Sequence, residues 1–98
     1  MIAKIFGEFI GTFVFLSVIL ATGEAIPIAI ALAASIYFCG HLTGGHFNPA
    51  VSTMFFAKGS ITWELWTFYV VAQVLGGLVA LLWWSKTWPA VATPSKNA

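Results

Sequence analysis

The chain has 98 residues, of which 60% are hydrophobic and 7% charged, with a net charge of +1. A soluble domain carries about 25% charged residues to cover its surface, so this composition excludes an ordinary water-facing globule and turns the apolar surface toward membrane lipid. The near-neutral balance, with no arginine and no aspartate, gives no basic patch for nucleic acid, and Cys39 as the single cysteine excludes an intrachain disulfide.

Residues 5–22 form the first apolar segment, interrupted only by Glu8, Thr12, Ser17 and small residues. At about 1.5 Å per residue this approaches the ~30 Å of a bilayer core. Lys4 ahead of an apolar run also fits a cleavable signal peptide, but a second hydrophobic segment follows directly and a third later. Gly23-Glu24 breaks the run, and Pro27 falls in the first turn of the next helix, where a missing N–H is tolerated. The second apolar run extends from residue 25 to about residue 41. Thr43-Gly44-Gly45-His46-Phe47-Asn48-Pro49 is too rich in breakers for helix. Residues 49–57 turn apolar again, but they give roughly 13 Å of helix, half a membrane. Lys58-Gly59-Ser60 ends that stretch. The last span covers about residues 62–84, with Trp63 and Trp66 at one end and Trp83 and Trp84 at the other, the spacing of an interfacial aromatic belt.

The expected fold is therefore an all-α membrane protein with three transmembrane helices plus one re-entrant half-helix. Residues 1–86 form the membrane domain, and residues 87–98 a polar, Pro-bearing tail that the composition marks as disordered. Small residues recur at four-residue spacing, at Gly7 and Gly11, Gly40 and Gly44, and Ala72, Gly76 and Ala80. Such spacing serves close helix packing in lipid rather than a site.

The informative stretch is Gly44-Gly45-His46-Phe47-Asn48-Pro49-Ala50-Val51-Ser52. A half-length helix at membrane depth leaves N–H groups at its start that lipid cannot satisfy, so it must line a cavity or be buried in protein. Pro49 suits the first helical position. Asn48 falls at the N-cap, where its side-chain oxygen accepts from the turn and its amide nitrogen is left as a donor. The helix end adds about half a positive elementary charge. In a narrow apolar pore that combination welcomes a lone-pair oxygen and opposes a cation. The competing reading is a plain Asn-Pro loop turn.

His41-Leu42-Thr43-Gly44-Gly45-His46-Phe47-Asn48-Pro49-Ala50-Val51-Ser52 resembles the first Asn-Pro-Ala segment of aquaporins and glycerol facilitators, members of the major intrinsic protein family, bacterial water channels in particular. Glu8-Phe9-Ile10-Gly11-Thr12-Phe13 resembles the start of their first helix, and Tyr69-Val70-Val71-Ala72-Gln73-Val74-Leu75-Gly76-Gly77 their third. The resemblance covers about residues 3–85 and implies half of an aquaporin-like fold, since family members carry two such halves, the second inverted. It implies that Asn48, Pro49 and Ala50 face the pore and that Glu8 accepts hydrogen bonds from the loop, with Gln73 beside it. A carboxylate within a span is expensive and faces protein or water. His46 is read as pinning the loop, with pore lining as the alternative, and His41 as facing the cytoplasmic side of the loop. Cys39, His41 and His46 match no metal-ligand pattern, so no metal or cofactor is implied. Cys39 reads as a small core residue.

Orientation follows the Lys/Arg bias at the span ends. Lys4 and Lys58 lie on one side, Lys86 and Lys96 on the other. Such a balanced chain has no strong reason to choose one orientation. Half-helices from two chains of like orientation never meet, so pairing requires inverted copies or a separate partner. By the same resemblance, the selectivity filter of an antiparallel pair is assigned to Ile28, Ile36, Gly45 and Val51, none of them polar in side chain. The whole implies a passive channel for water and small neutral solutes such as glycerol, in a bacterial-type plasma membrane. It is not an enzyme. Its partners are lipid, solute and a second half-channel. The alternatives are a small dual-topology coupled exporter or ion channel using Glu8, and a non-conducting truncated fragment.

Overall fold

The computed structural model describes residues 1–87, all within or between four helices. α1 spans Ile2–Thr22, α2 Ala25–Thr43, α3 Pro49–Lys58 and α4 Trp63–Thr87. α1, α2 and α4 are each long and apolar enough to cross a membrane. α3, with 10 residues, reaches only about 15 Å. The architecture is three spans and one half-span, as the hydropathy pattern predicts. The expected tail falls outside the described residues, except that Thr87 closes α4.

The helices run a few residues past their apolar cores. α1 starts at Ile2, with the Ile5 amide bonded to the Met1 carbonyl at 3.0 Å. α4 continues through Ser85 and Lys86 to Thr87. Lys4 and Lys86 mark where hydropathy falls, not where backbone bonding stops. Their long stems carry the charge outward while the helix continues. Three glycines end the helices. Gly23, Gly44 and Gly59 adopt left-handed conformations and close α1, α2 and α3.

α1 is central, packing against α2 on one side and α4 on the other, while α3 leans on α4. Gly76 permits the closest approach: a Cβ there would lie 2.9 Å from the Phe9 carbonyl oxygen. Ala72 and Ala80 of α4 are buried as well, whereas on α1 a Cβ at Gly7 would meet Thr43 and one at Gly11 the Phe47 ring. The small-residue spacing thus serves packing along α1 and α4. Gly44 differs, because its place is the left-handed cap of α2. On α2, Ser35 Oγ donates to the Gly11 carbonyl at 3.2 Å and ties α2 to α1. Cys39 is half-buried on the flank of α2, not in the core. Large side chains such as Ile26, Ile30 and Leu82 point away from the protein, as spans solvated by lipid require.

Candidate re-entrant pore-lining site

The segment between α2 and α3 enters the protein interior because three elements supply partners for its backbone. Glu8 on α1 is fully buried. Its Oε2 accepts from the His46 amide at 3.2 Å, and its Oε1 from the Phe47 amide at 2.8 Å. Gln73 Nε2 on α4 donates to the same Oε1 at 2.8 Å and to Ser52 Oγ at 2.8 Å. Ser52 Oγ also lies 2.8 Å from His46 Nδ1. Because Ser52 accepts from Gln73, its own proton is available to Nδ1. In that order the imidazole carries its proton on Nε2, whereas in the other tautomer Nδ1 donates to Ser52 instead. A ring of hydrogen bonds therefore closes through Glu8, the loop, Ser52 and Gln73.

The loop's outer side is held separately. The Tyr69 hydroxyl donates to the Thr43 carbonyl at 2.6 Å, satisfying one of the orphan acceptors at the end of α2. Thr43 Oγ1 accepts from the Gly45 amide at 3.0 Å. The His46 ring stacks on Phe55 with centroids 4.8 Å apart and meets Tyr69 edge-on at 5.2 Å. The His46 ring is thus held between α3 and α4, while His41, exposed, sits in the last turn of α2.

Asn48 is the N-cap of α3, with its Oδ1 accepting from the Ala50 amide at 2.8 Å and Pro49 following at the helix start. The carboxamide nitrogen takes no part in that cap. The tip faces a pocket of about 450 Å³ whose lining includes Thr12, Phe47, Asn48, Pro49, Gln73 and Gly77. Thr12 lies midway along α1 and Gln73 and Gly77 near the middle of α4, so the half-helix begins at mid-depth of the spans. Gln73 Oε1 and Thr12 Oγ1 are buried there without a hydrogen bond among the described residues.

Glu8, His46 and Gln73 lie together around the loop. The four filter candidates are not gathered within one chain. Ile36 and Gly45 are adjacent, since a Cβ on Gly45 would meet Ile36 Cγ1 at 3.4 Å. Val51 is in the first turn of α3, and Ile28 is about two turns before Ile36 on α2. Ser52, Thr43, Tyr69, Gly11 and Phe47 were not foreseen as loop supports. Tyr69 was within reach of sequence reasoning, being one helical turn before Gln73 and so on the same face.

No solved structure matches the fold closely enough to be informative. The family model described as "Major intrinsic protein" matches residues 1–96. The chain is 38% identical over 86 residues to Glycerol uptake facilitator protein-like 6 of Lactiplantibacillus plantarum, covering 79% of this chain and 40% of that protein. It is 33% identical over 95 residues to Aquaporin Z of Photorhabdus laumondii, covering 82% and 41%. A third relative, Aquaporin NIP1-1 of Zea mays, is 41% identical over 58 residues, covering 59% and 21%. The chain spans less than half the length of each of these curated relatives. A buried carboxylate suspending an Asn-capped half-helix among three apolar spans, together with a match along nearly the whole chain, places it in the major intrinsic protein family.

Proposed function

We propose that this chain forms half of a passive channel for water and small neutral solutes such as glycerol, completed by a second half-channel in antiparallel orientation. The observation that carries the proposal is the Asn48-capped start of α3 at mid-depth of α1 and α4, facing an open pocket. A helix start offers about half a positive charge, and the Asn48 amide nitrogen adds a donor. Both favour a neutral oxygen and oppose a cation. A half-helix serves only half of the membrane's depth, so a continuous path needs a second one entering from the opposite face. An inverted copy of this chain supplies it, as does a separate partner with the same half-fold. The names of the relatives, aquaporin and glycerol uptake facilitator, support water and glycerol as solutes. The bacterial relatives support a bacterial plasma membrane. Glu8 is already occupied by three donors, which favours a supporting role over the proton coupling an exporter would require. No covalent chemistry is assigned to any residue.

In such a pair each mouth is ringed by Ile28 of one copy and by Ile36, Gly45 and Val51 of the other. With no arginine in the sequence, the half-helix dipoles are the main barrier to cations.

Reconstitution of the full chain in proteoliposomes tests the proposal, with stopped-flow light scattering as the readout. Water and glycerol permeability above that of empty vesicles is expected. Asn48→Ala removes cap and donor together, and Asn48→Asp places an anion at mid-depth. Both lower solute passage at matched protein density, and the aspartate admits cations. Equal permeability in all three proteins would remove Asn48 from the pore.

A further inference from the structure

Phe47 is the one non-glycine with a positive φ among the described residues, at 54°. For a bulky side chain that conformation is sterically strained and persists only where the surroundings over-determine it. Two contacts with α1 do so. The Phe47 amide donates to Glu8 Oε1 at 2.8 Å. The ring, 1% exposed, lies against Gly11, where a Cβ would stand 2.7 Å from Cδ1 and 2.8 Å from Cζ. Glu8 and Gly11 are three residues apart and share one face of the helix. One face of α1 thus grips a single loop residue at both its backbone and its ring.

The geometry points to a positioning role for Gly11 and Phe47: the ring, seated in the notch that Gly11 leaves on α1, sets the direction in which Asn48 presents its carboxamide at the half-helix tip. Asn48 follows directly in an extended conformation, φ −159° and ψ 126°, with its oxygen committed to the Ala50 amide. With that oxygen fixed on the first turn of α3, the carboxamide moves with the helix start, and the peptide joining residues 47 and 48 ties that start to Phe47. The left-handed backbone at Phe47 therefore sets the direction in which the chain enters α3. Any side chain at residue 11 displaces the ring, and the Glu8 bond prevents the backbone from simply following it. The ring also lines the pocket beside Asn48 and Pro49, so its displacement changes the space next to the donor. The inference rests on the channel reading only in giving the Asn48 donor a solute to meet.

The sequence contains two asparagines, Asn48 and Asn97, so selective 15N-asparagine labelling resolves the Asn48 side-chain amide by NMR in detergent micelles. Gly11→Ala, Phe47→Leu and the double variant are compared with the parent chain, alongside permeability per folded chain in vesicles. Each single substitution is expected to shift the Asn48 side-chain resonances and to lower glycerol and water passage. In the double variant the smaller side chain makes room for the new methyl, and both readouts return toward the parent, with a coupling of about fivefold or more, as for side chains in contact. A ring that merely fills space would change yield or stability while leaving those resonances and the permeability per folded chain in place. Unmoved Asn48 resonances in folded Gly11→Ala, or purely additive effects, overturn the inference. Should Gly11→Ala fail to fold, Phe47→Leu decides on the same resonances, and unmoved signals overturn it. Coupled resonances in a chain whose vesicles pass no solute would uphold the positioning role and remove the channel reading.

Discussion

At Glu8 a single carboxylate receives three donors, from two loop amides and a glutamine. An amide in its place can keep only one acceptor. With its oxygen at the Oε1 position it still takes Phe47 and Gln73, but its nitrogen then opposes the His46 amide, donor against donor. The reverse placement sets that nitrogen against two donors. Glu8→Gln is therefore expected to destabilise the fold by about 1–3 kcal/mol, the cost of an unmet buried polar group, as read from denaturant titration in detergent. Transport driven by a proton gradient that vanishes in folded Glu8→Gln would favour the exporter instead. The role of Glu8 was legible because an acid inside a span needs partners, and a breaker-rich loop nearby has amides to offer. Ser52 was not, because its value lies in meeting Gln73 and His46 from different elements at once.

At the scale of the elements, the half-helix hangs from α4 as well as from α1. Trp66 Nε1 donates to Thr53 Oγ1 at 3.0 Å, and the Trp66 ring stacks on Phe56 with centroids 4.8 Å apart. The packing of α4 on α1 in turn sets where both supports stand. Gly76 is the tightest point in that packing against backbone, since its added Cβ meets the Phe9 carbonyl rather than a movable side chain. Gly76→Ala is expected to cost about 1–3 kcal/mol, as overpacking of a close contact does. Leu82→Ala, at an outward-facing position, should stay within about 0.5 kcal/mol. Equal unfolding midpoints for the two variants would contradict the close approach. The four-residue spacing of Gly7, Gly11, Ala72, Gly76 and Ala80 announced close packing. That Gly11 receives a loop side chain rather than a neighbouring helix became clear only in three dimensions.

Across the whole molecule, the start of α1, the end of α2 and the turn between α3 and α4 gather at one end, where Lys4, Thr43, Gly44, Ser60 and Thr62 line a common crevice. Lys4 and Lys58 therefore share a side, and Lys86 lies at the far end of α4. With so little bias, both orientations are expected in the membrane. Single cysteines placed at either terminus in a Cys39→Ser background should each be labelled by an impermeant reagent from both sides. Uniform orientation would exclude the homodimer and leave a separate partner. The filter assignment makes a second demand. Val51→Arg places a positive, bulky side chain at the mouth, so it should lower glycerol passage more than water passage and tighten proton exclusion in a pH-dye flux assay. No change in either would refute Val51 as a ring member while leaving the channel reading intact.

The sequence by itself determined that the chain lives in lipid, where the three spans lie, and that a half-helix starts at Pro49 capped by Asn48. These follow from local rules, because composition, hydropathy length and capping chemistry all act between neighbours along the chain. Only the tertiary structure decided that Glu8, Ser52 and Gln73 close into one network, that Tyr69 holds the end of α2, and that Phe47 turns left-handed against Gly11. Each of those depends on side chains from separate helices arriving at one point. The helix packing that sets those meetings comes from close approaches such as Gly76 on Phe9, which appear in the sequence only as a recurrence of small residues.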